Sequence, residues 1–376
     1  MAATEARRRV SSLLITLLAR CTALLGGVLA LAHPARAIDL PEDKAEALLH
    51  YYDGGGVKAF GPAFLVRKNV MDKVSLSGTY YVDSVSNASI DVVTTASKYH
   101  ETRNEFGLSA DYVYRDAQIT LGATTSREPD YTADAVSLDV SQEVFGGMTT
   151  VALGFTRGSD DVKKKNSPEF HDYAKHWQYR VGITQILTPR WISSVNFEAV
   201  SDDGFLGSPY RAAREFGAFV PERMPRTRSS RAMQFRVIGD LGSRDAIHGS
   251  YRYFWDNWEI KAHTLELGYS RYFGDRWLAD SSLRYTKQSA ALFYSDNADA
   301  QNTYVTRNRQ LGSYNSIGLG GKVAYSWRKV PGKYEIKANG GVEYVRYKYN
   351  DFTDVRSGSL YSYGASILQL YLTATY

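Results

Sequence analysis

Period-two alternation of apolar and polar residues runs along most of this chain. From Val74 onward, Val74, Leu76, Gly78, Tyr80 and Val82 fall on one side, and Ser75, Ser77, Thr79, Tyr81 and Asp83 on the other. Successive side chains of a strand point to opposite faces, so the pattern predicts a strand with one apolar and one polar face. Phe106, Leu108, Ala110 and Tyr112 likewise oppose Glu105, Gly107, Ser109 and Asp111, and Val136, Leu138 and Val140 oppose Ser137 and Asp139. Further on, Tyr179, Val181 and Ile183 oppose Gln178, Arg180 and Gly182, while Ile317, Leu319 and Val323 oppose Gly318 and Lys322. A soluble sandwich alternates too, so this pattern alone leaves the class open.

The connections narrow it. Short turns near Met71-Asp72, Arg115-Asp116, Gly146-Gly147, Thr188-Pro189, Ser243-Arg244, Gly274-Asp275 and Val330-Pro331-Gly332 alternate with mostly longer connections. The longer ones are expected over Ser84–Glu101, Gly158–Lys175, Ser201–Thr227, Gln288–Gly312 and Tyr349–Gly358. Outer-membrane barrels join their strands by short periplasmic turns and longer external loops. The predicted fold is therefore all-β, a transmembrane antiparallel up-and-down β-barrel. Segments around Ala45–Tyr52 and Val57–Val66 bring its strands to about sixteen, with fourteen as the alternative. At the end of the chain Leu368, Leu370, Leu372, Ala374 and Tyr376 share one face up to a terminal aromatic residue. They form the expected assembly signal, which makes the barrel-assembly machinery a predicted partner.

The first residues read as a leader. Arg7, Arg8, Arg9 and Arg20 precede an apolar run from Cys21 to Leu31, and Ala35-Arg36-Ala37 offers the small residues of a cleavage site. Residues 1–37 are expected to be a signal peptide and residues 38–376 the barrel domain, with Ile38 the first mature residue. The run is shorter than the roughly 20 residues a spanning helix needs. Cys21 is the only cysteine, so the mature chain carries no thiol. That excludes disulfides, cysteine-ligated zinc and a cysteine nucleophile. Removing Arg7, Arg8, Arg9, Arg20, Arg36 and Glu5 leaves forty Lys and Arg against thirty-nine Asp and Glu, so nucleic acid is not an expected partner. All 28 Tyr, 15 Phe and 6 Trp lie beyond the cleavage site, in keeping with the aromatic girdles of a barrel.

Several stretches resemble an outer-membrane barrel family known only as a domain of unknown function. They are Gly54-Gly55-Gly56 with Gly61-Pro62 and Val66-Arg67-Lys68-Asn69, then Tyr80-Tyr81-Val82-Asp83-Ser84, and the run from Ala88 to Ser97. Asp203-Gly204-Phe205-Leu206 with Pro209-Tyr210-Arg211, Pro225-Arg226-Thr227-Arg228 and Phe293-Tyr294-Ser295-Asp296 are similar too. The resemblance implies the barrel and an outer-membrane location. It also implies a redox context for a periplasmic partner protein, and no agreed activity.

Dedicated chemistry is sparse. No HExxH, Gly-x-Ser-x-Gly, P-loop or GxGxxG pattern occurs. His171 and His176 share a predicted loop with Glu169 and Asp172, but their spacing fits no common zinc motif, and a solvated loop is the stronger reading. His248 is expected to face the lumen near Arg252, which by itself makes no catalytic site. Asp160-Asp161, Asp202-Asp203 and Asp296 with Asp299 are expected in external loops, as solvated acids or contacts for bridging cations. Lys163-Lys164-Lys165 is either a solvated run or a contact for lipid phosphates. No catalytic, cofactor or metal residue is assigned; the chain is not expected to be an enzyme, and no cofactor is implied.

The lumen carries more information. Asp83, Glu105, Asp111 and Asp139 are expected to point inward from early strands, and Arg180, Arg236, Arg252, Arg284, Lys322 and Lys337 from later ones. Opposed acidic and basic walls would impose a transverse field on solutes; Glu198, Glu266, Asp280 and Glu343 on the basic side would cancel it. Two classes of function stay open. One is a porin-like channel for small polar solutes in the cell outer membrane, in contact with its lipid and lipopolysaccharide. The other is a structural or docking barrel with a filled lumen, serving a periplasmic or surface complex. A barrel hydrolase is a third and weaker reading.

Overall fold

The computed structural model describes residues 38–87, 99–165 and 167–376. The expected leader with its expected cleavage site, and the motif from Ala88 to Ser97, lie outside the described residues.

Among the described residues eighteen strands follow in order: β1 (Lys44–Gly54), β2 (Val57–Met71), β3 (Val74–Asn87), β4 (Tyr99–Tyr114), β5 (Ala117–Arg127), β6 (Tyr131–Val144), β7 (Thr149–Lys163), β8 (His171–Thr188) and β9 (Trp191–Gly204). Next come β10 (Ala212–Glu215), β11 (Ala218–Pro221), β12 (Thr227–Gly242), β13 (Asp245–Asp256), β14 (Lys261–Phe273) and β15 (Trp277–Gln288). A 3₁₀ turn at Arg309–Leu311 precedes β16 (Tyr314–Val330), β17 (Tyr334–Thr353) and β18 (Leu360–Thr375). Sixteen of them close one barrel, each paired antiparallel with its neighbours, and β10 with β11 makes a separate hairpin. Closure is between first and last: Ala47 stands opposite Leu372, and Leu49 opposite Leu370. A closed barrel leaves no unpaired edge, which hydrocarbon would not tolerate.

The alternation sorts as the sequence predicts. Leu76, Phe106, Leu108, Leu138, Leu153, Tyr179, Val181, Leu267, Leu319 and Leu370 are all exposed on the outer face. So many exposed apolar side chains would be unfavourable in water, whereas against acyl chains they are the matched surface. The terminal residues Leu368, Leu372 and Tyr376 belong to this outer face too, and Ala374 shares its alternation.

Several strands run further than the alternation suggested. β7 and β8 take in Asp160, Asp161, His171 and His176, which the sequence placed in a loop. β9 takes in Asp202 and Asp203, and β17 continues to Thr353. A strand that rises above the lipid still needs backbone partners but no longer needs an apolar face, so its sequence signal ends before its ladder does.

The barrel wall holds little packed apolar interior. That interior gathers instead at the long-loop end, where Trp258, Ile260, Ala291 and Leu311 form one buried cluster, Tyr349 and Phe352 a second, and Ala213, Ala298 and Val305 a third.

Candidate functional site

The inner wall is built by residues that alternate with the lipid-facing set. On β8, Arg180 lies between outward Tyr179 and Val181, and the same parity turns Asp83, Glu105, Asp111, Asp139, Arg236, Arg252, Arg284, Lys322 and Lys337 inward. The structure does not arrange these as opposed acidic and basic walls. Asp139 pairs with Arg180 at 2.7 Å, and Arg252 stands 3.8 Å from Glu198. Arg284 bridges Glu266 and Glu343 at 2.8 and 3.1 Å, and Lys337 reaches Glu335 at 3.2 Å. Apart from Lys337 with Glu335 on one strand, these pairs join strands one or two apart in the barrel, so the charge of these residues is cancelled locally. Asp111 is buried and accepts hydrogen bonds from Thr120 and Gln118 at 2.6 and 3.0 Å.

Asp83 belongs to a cluster that sequence reasoning did not assemble. It accepts from His50 Nε2 at 2.8 Å and faces Arg103 at 3.8 Å, while the His50 ring stacks on Tyr81 with centroids 4.8 Å apart. His50 sits on β1 and Asp83 on β3, with β2 between them. The contact exists because His50 stands directly opposite Gly61, which presents no side chain to block the reach across β2. The Gly-Pro pair at 61–62 was the available signal.

The histidine grouping read from sequence is dispersed. His176 lies between Asp160 and Asp202, with both ring nitrogens engaged at 2.8 Å. His171 pairs instead with Asp161, Asp172 with Arg226, and Glu169 with Ser167. His248 lines the lumen in a cavity with Arg236, Glu266, Asp280, Arg284 and Lys322, whereas Arg252 lines a different one. Among the described residues, the carboxylates close enough to share a cation are Glu101, Glu128 and Asp130, another set the sequence did not single out. Burial pushes the Glu128 carboxyl above its usual range, against the opposing pull of Arg103.

At the long-loop end two connections form a cap. Residues 205–226 and 289–313 join by backbone hydrogen bonds: Arg223 and Val305 exchange both, at 3.0 and 2.8 Å, and Phe216 donates to the Ala298 carbonyl at 2.8 Å. The hairpin β10–β11 turns through Phe216 and Gly217, both at positive φ. Bulky Phe216 in that conformation is strained and exposed, while Gly217 adopts it freely.

Connection 289–313 folds inward. Its Arg309 guanidinium lies over the inner-face rings of Tyr361 and Tyr363, 5.5 and 5.2 Å from their centroids, and reaches the Gly55 carbonyl at 3.5 Å. Arg307, almost fully buried, lies 4.3 Å over Phe352, pairs with Asp296 at 2.7 Å and donates to the Thr353 carbonyl at 2.5 Å. Such cation–aromatic contacts gain strength when shielded from water.

Connection 205–226 reaches the other way. The Tyr210 hydroxyl donates to Asp130 and accepts from the Lys165 amide at 2.8 Å. Burial first, then the Asp130 hydrogen bond, push the phenol up to about 12. Its folded pKa is raised, so the donated bond is fully present at neutral pH and is lost only as pH rises through about 12. The cap thus ties the rim from the β1–β2 turn round to the β5–β6 loop.

Two of the stretches that carried the family resemblance, Pro225-Arg226-Thr227-Arg228 and Phe293-Tyr294-Ser295-Asp296, meet here around Trp258. Arg226 grips Asp172 with two bonds of 2.7 Å, Arg228 holds Asp256 at 2.6 Å and lies 4.5 Å over Trp258, and Phe293 meets Trp258 edge-on at 5.0 Å.

A closed sixteen-stranded sheet, apolar outside and charge-lined inside, with short turns at one end and a loop cap at the other, is the architecture of the outer-membrane β-barrels. At 8% identity, a bacterial polysaccharide outer membrane secretin superimposes with TM-score 0.54 over 90% of this chain and 100% of its own. The CymD monoaromatic hydrocarbon channel aligns at 10% identity and TM-score 0.44, over 90% of this chain and 89% of its own. The siderophore receptor PirA from Pseudomonas aeruginosa aligns at 10% identity and TM-score 0.46, over 84% of this chain. The chain spans only 60% of the length of that receptor. No curated protein matches in sequence. The chain belongs to the family described as Protein of unknown function (DUF3570), whose model matches residues 92–364.

Proposed function

We propose that this barrel is a porin-like channel of the outer membrane for small polar solutes, with its external mouth narrowed by the cap. The observation that carries this reading is the exposure of the charged inner wall. Asp139 is 42% exposed, Arg180 38% and Arg284 46%, although all three point away from lipid. A lumen packed by its own side chains would bury such groups, and burial of charge is tolerated only with full pairing and hydrogen bonding. The inward fold of 289–313 makes it the constriction, and on this reading the long-loop end faces the exterior. Lipid and lipopolysaccharide then contact the outer face, and the assembly machinery reads the last strand.

A second reading is a docking barrel serving a periplasmic or surface complex. The packed clusters of the cap favour it, since they make one end a firm surface rather than a mobile fringe.

Planar-bilayer recording of the purified barrel separates the two, with discrete ohmic steps expected for the channel and none for the docking barrel. Removing both arginine anchors, Arg307→Ala with Arg309→Ala, is expected to raise the unit conductance by roughly twofold, because a constriction limits flow through its open area. Unchanged steps in that variant would show that 289–313 is not the constriction.

A further inference from the structure

One level of the inner wall carries a row fixed by strand register. Asp139 on β6 stands opposite Gly154, Gly154 opposite Arg180, and Arg180 opposite Glu198. Gly154 makes the row possible. A Cβ there would overlap Asp139 Oδ1 and come within 2.7 Å of Arg180 Nε, so the missing side chain leaves the space through which the guanidinium crosses β7. Beyond it, Glu198 accepts from Gln178 at 2.8 Å and faces Arg252 at 3.8 Å. Carboxylate, guanidinium, carboxylate and guanidinium thus follow one another along a cavity of about 400 Å³ that also receives the amides of Gln118, Asn196 and Gln234. All four charged groups are between 37% and 42% exposed to the lumen.

This row selects against net charge. An anion approaching Arg180 meets Asp139 already on the same guanidinium, and a cation approaching Glu198 meets Arg252. A molecule that carries both charges meets no such opposition. Its carboxylate bonds a guanidinium in the two-pronged geometry that group favours, and its ammonium bonds the neighbouring carboxylate. Among the described residues that line this cavity, Phe197 is the one aromatic side chain, and it turns outward towards Trp255, so the lining offers no ring to a sugar.

The geometry points to a subsite for small zwitterions, solutes of amino-acid size bearing an ammonium and a carboxylate a few bonds apart. As a step in permeation it rests on the channel reading above; as a binding site it stands separately.

The test uses the full barrel with L-serine as zwitterion, erythritol as neutral comparison and lactate as anion. In liposome-swelling assays wild type is expected to favour L-serine over erythritol. That preference should fall by about fivefold in Asp139→Asn with Arg180→Gln, which removes one charge-assisted pair at constant net charge. Asp139→Asn alone bares Arg180 and should shift preference towards lactate. Heat-modifiable migration verifies that each variant is folded. A serine-to-erythritol ratio equal in wild type and the double variant overturns the proposal. If no solute swells the liposomes, the channel reading fails, and calorimetric titration of L-serine into detergent-purified barrel decides the subsite. Binding that disappears in the double variant upholds it, and no binding by wild type overturns it.

Discussion

Gly61→Val is expected to prevent the barrel from closing. Any Cβ at this position would overlap the Val82 carbonyl oxygen and crowd the Asp83 Cα, both backbone atoms of the next strand. No rotamer relieves an overlap with main chain, so β2 and β3 would have to separate. The ladder between them already skips here, from Phe60 opposite Ser84 to Ala63 opposite Tyr81. Overpacking of this kind costs about 1–3 kcal/mol even where side chains can adapt, and here they cannot. Separation would also break the hydrogen bond from His50 to Asp83 across β2, worth about 1.5–3 kcal/mol for a bond to a charged group. The measurement is the yield of heat-modifiable protein in the outer-membrane fraction. Gly78→Ala is the control, because a Cβ at Gly78 meets its neighbours at 3.7 Å or more. Equal yields from the two variants would contradict the account of Gly61.

The second large effect concerns the lipid face. Leu368 lies near the middle of β18, exposed outward, opposite Tyr51 on β1 and Val342 on β17. It therefore stands at the seam where the first and last strands close the sheet. Leu368→Arg places a cation against acyl chains and is expected to destabilise the barrel by about 2–4 kcal/mol, the range for basic residues at the bilayer midplane. The cost falls towards the interfaces, so Tyr376→Ala at the end of the strand should act less on stability and more on recognition by the assembly machinery. Urea titration of folded protein in lipid vesicles measures the first effect, and the rate of appearance of assembled barrel in cells measures the second. Leu368→Met should be close to neutral. An arginine variant as stable as wild type would mean that this face does not touch lipid.

The sequence itself specified the two faces. Val74 to Asp83, Phe106 to Tyr114 and Leu368 to Tyr376 each state their orientation locally, because a strand between lipid and water must alternate and the alternation lies within the strand. The count of about sixteen barrel strands followed from the same signal together with the spacing of the turns, and the signal marked the charges from Asp83 to Lys337 as candidates for the inner face. Only the tertiary structure decided what those inward charges do. Whether Arg180 meets Asp139 depends on register and on Gly154 between them, and closure of the whole sheet sets both. His176 found Asp160 and Asp202 on neighbouring strands instead of Glu169 and Asp172 along the chain. Tyr210 reached Asp130 across eighty residues. The cap was equally hidden, since its apolar side chains come in ones and twos from several segments and leave no period to read. Alternation is a property of one segment against its surroundings, whereas pairing and capping are properties of segments against one another.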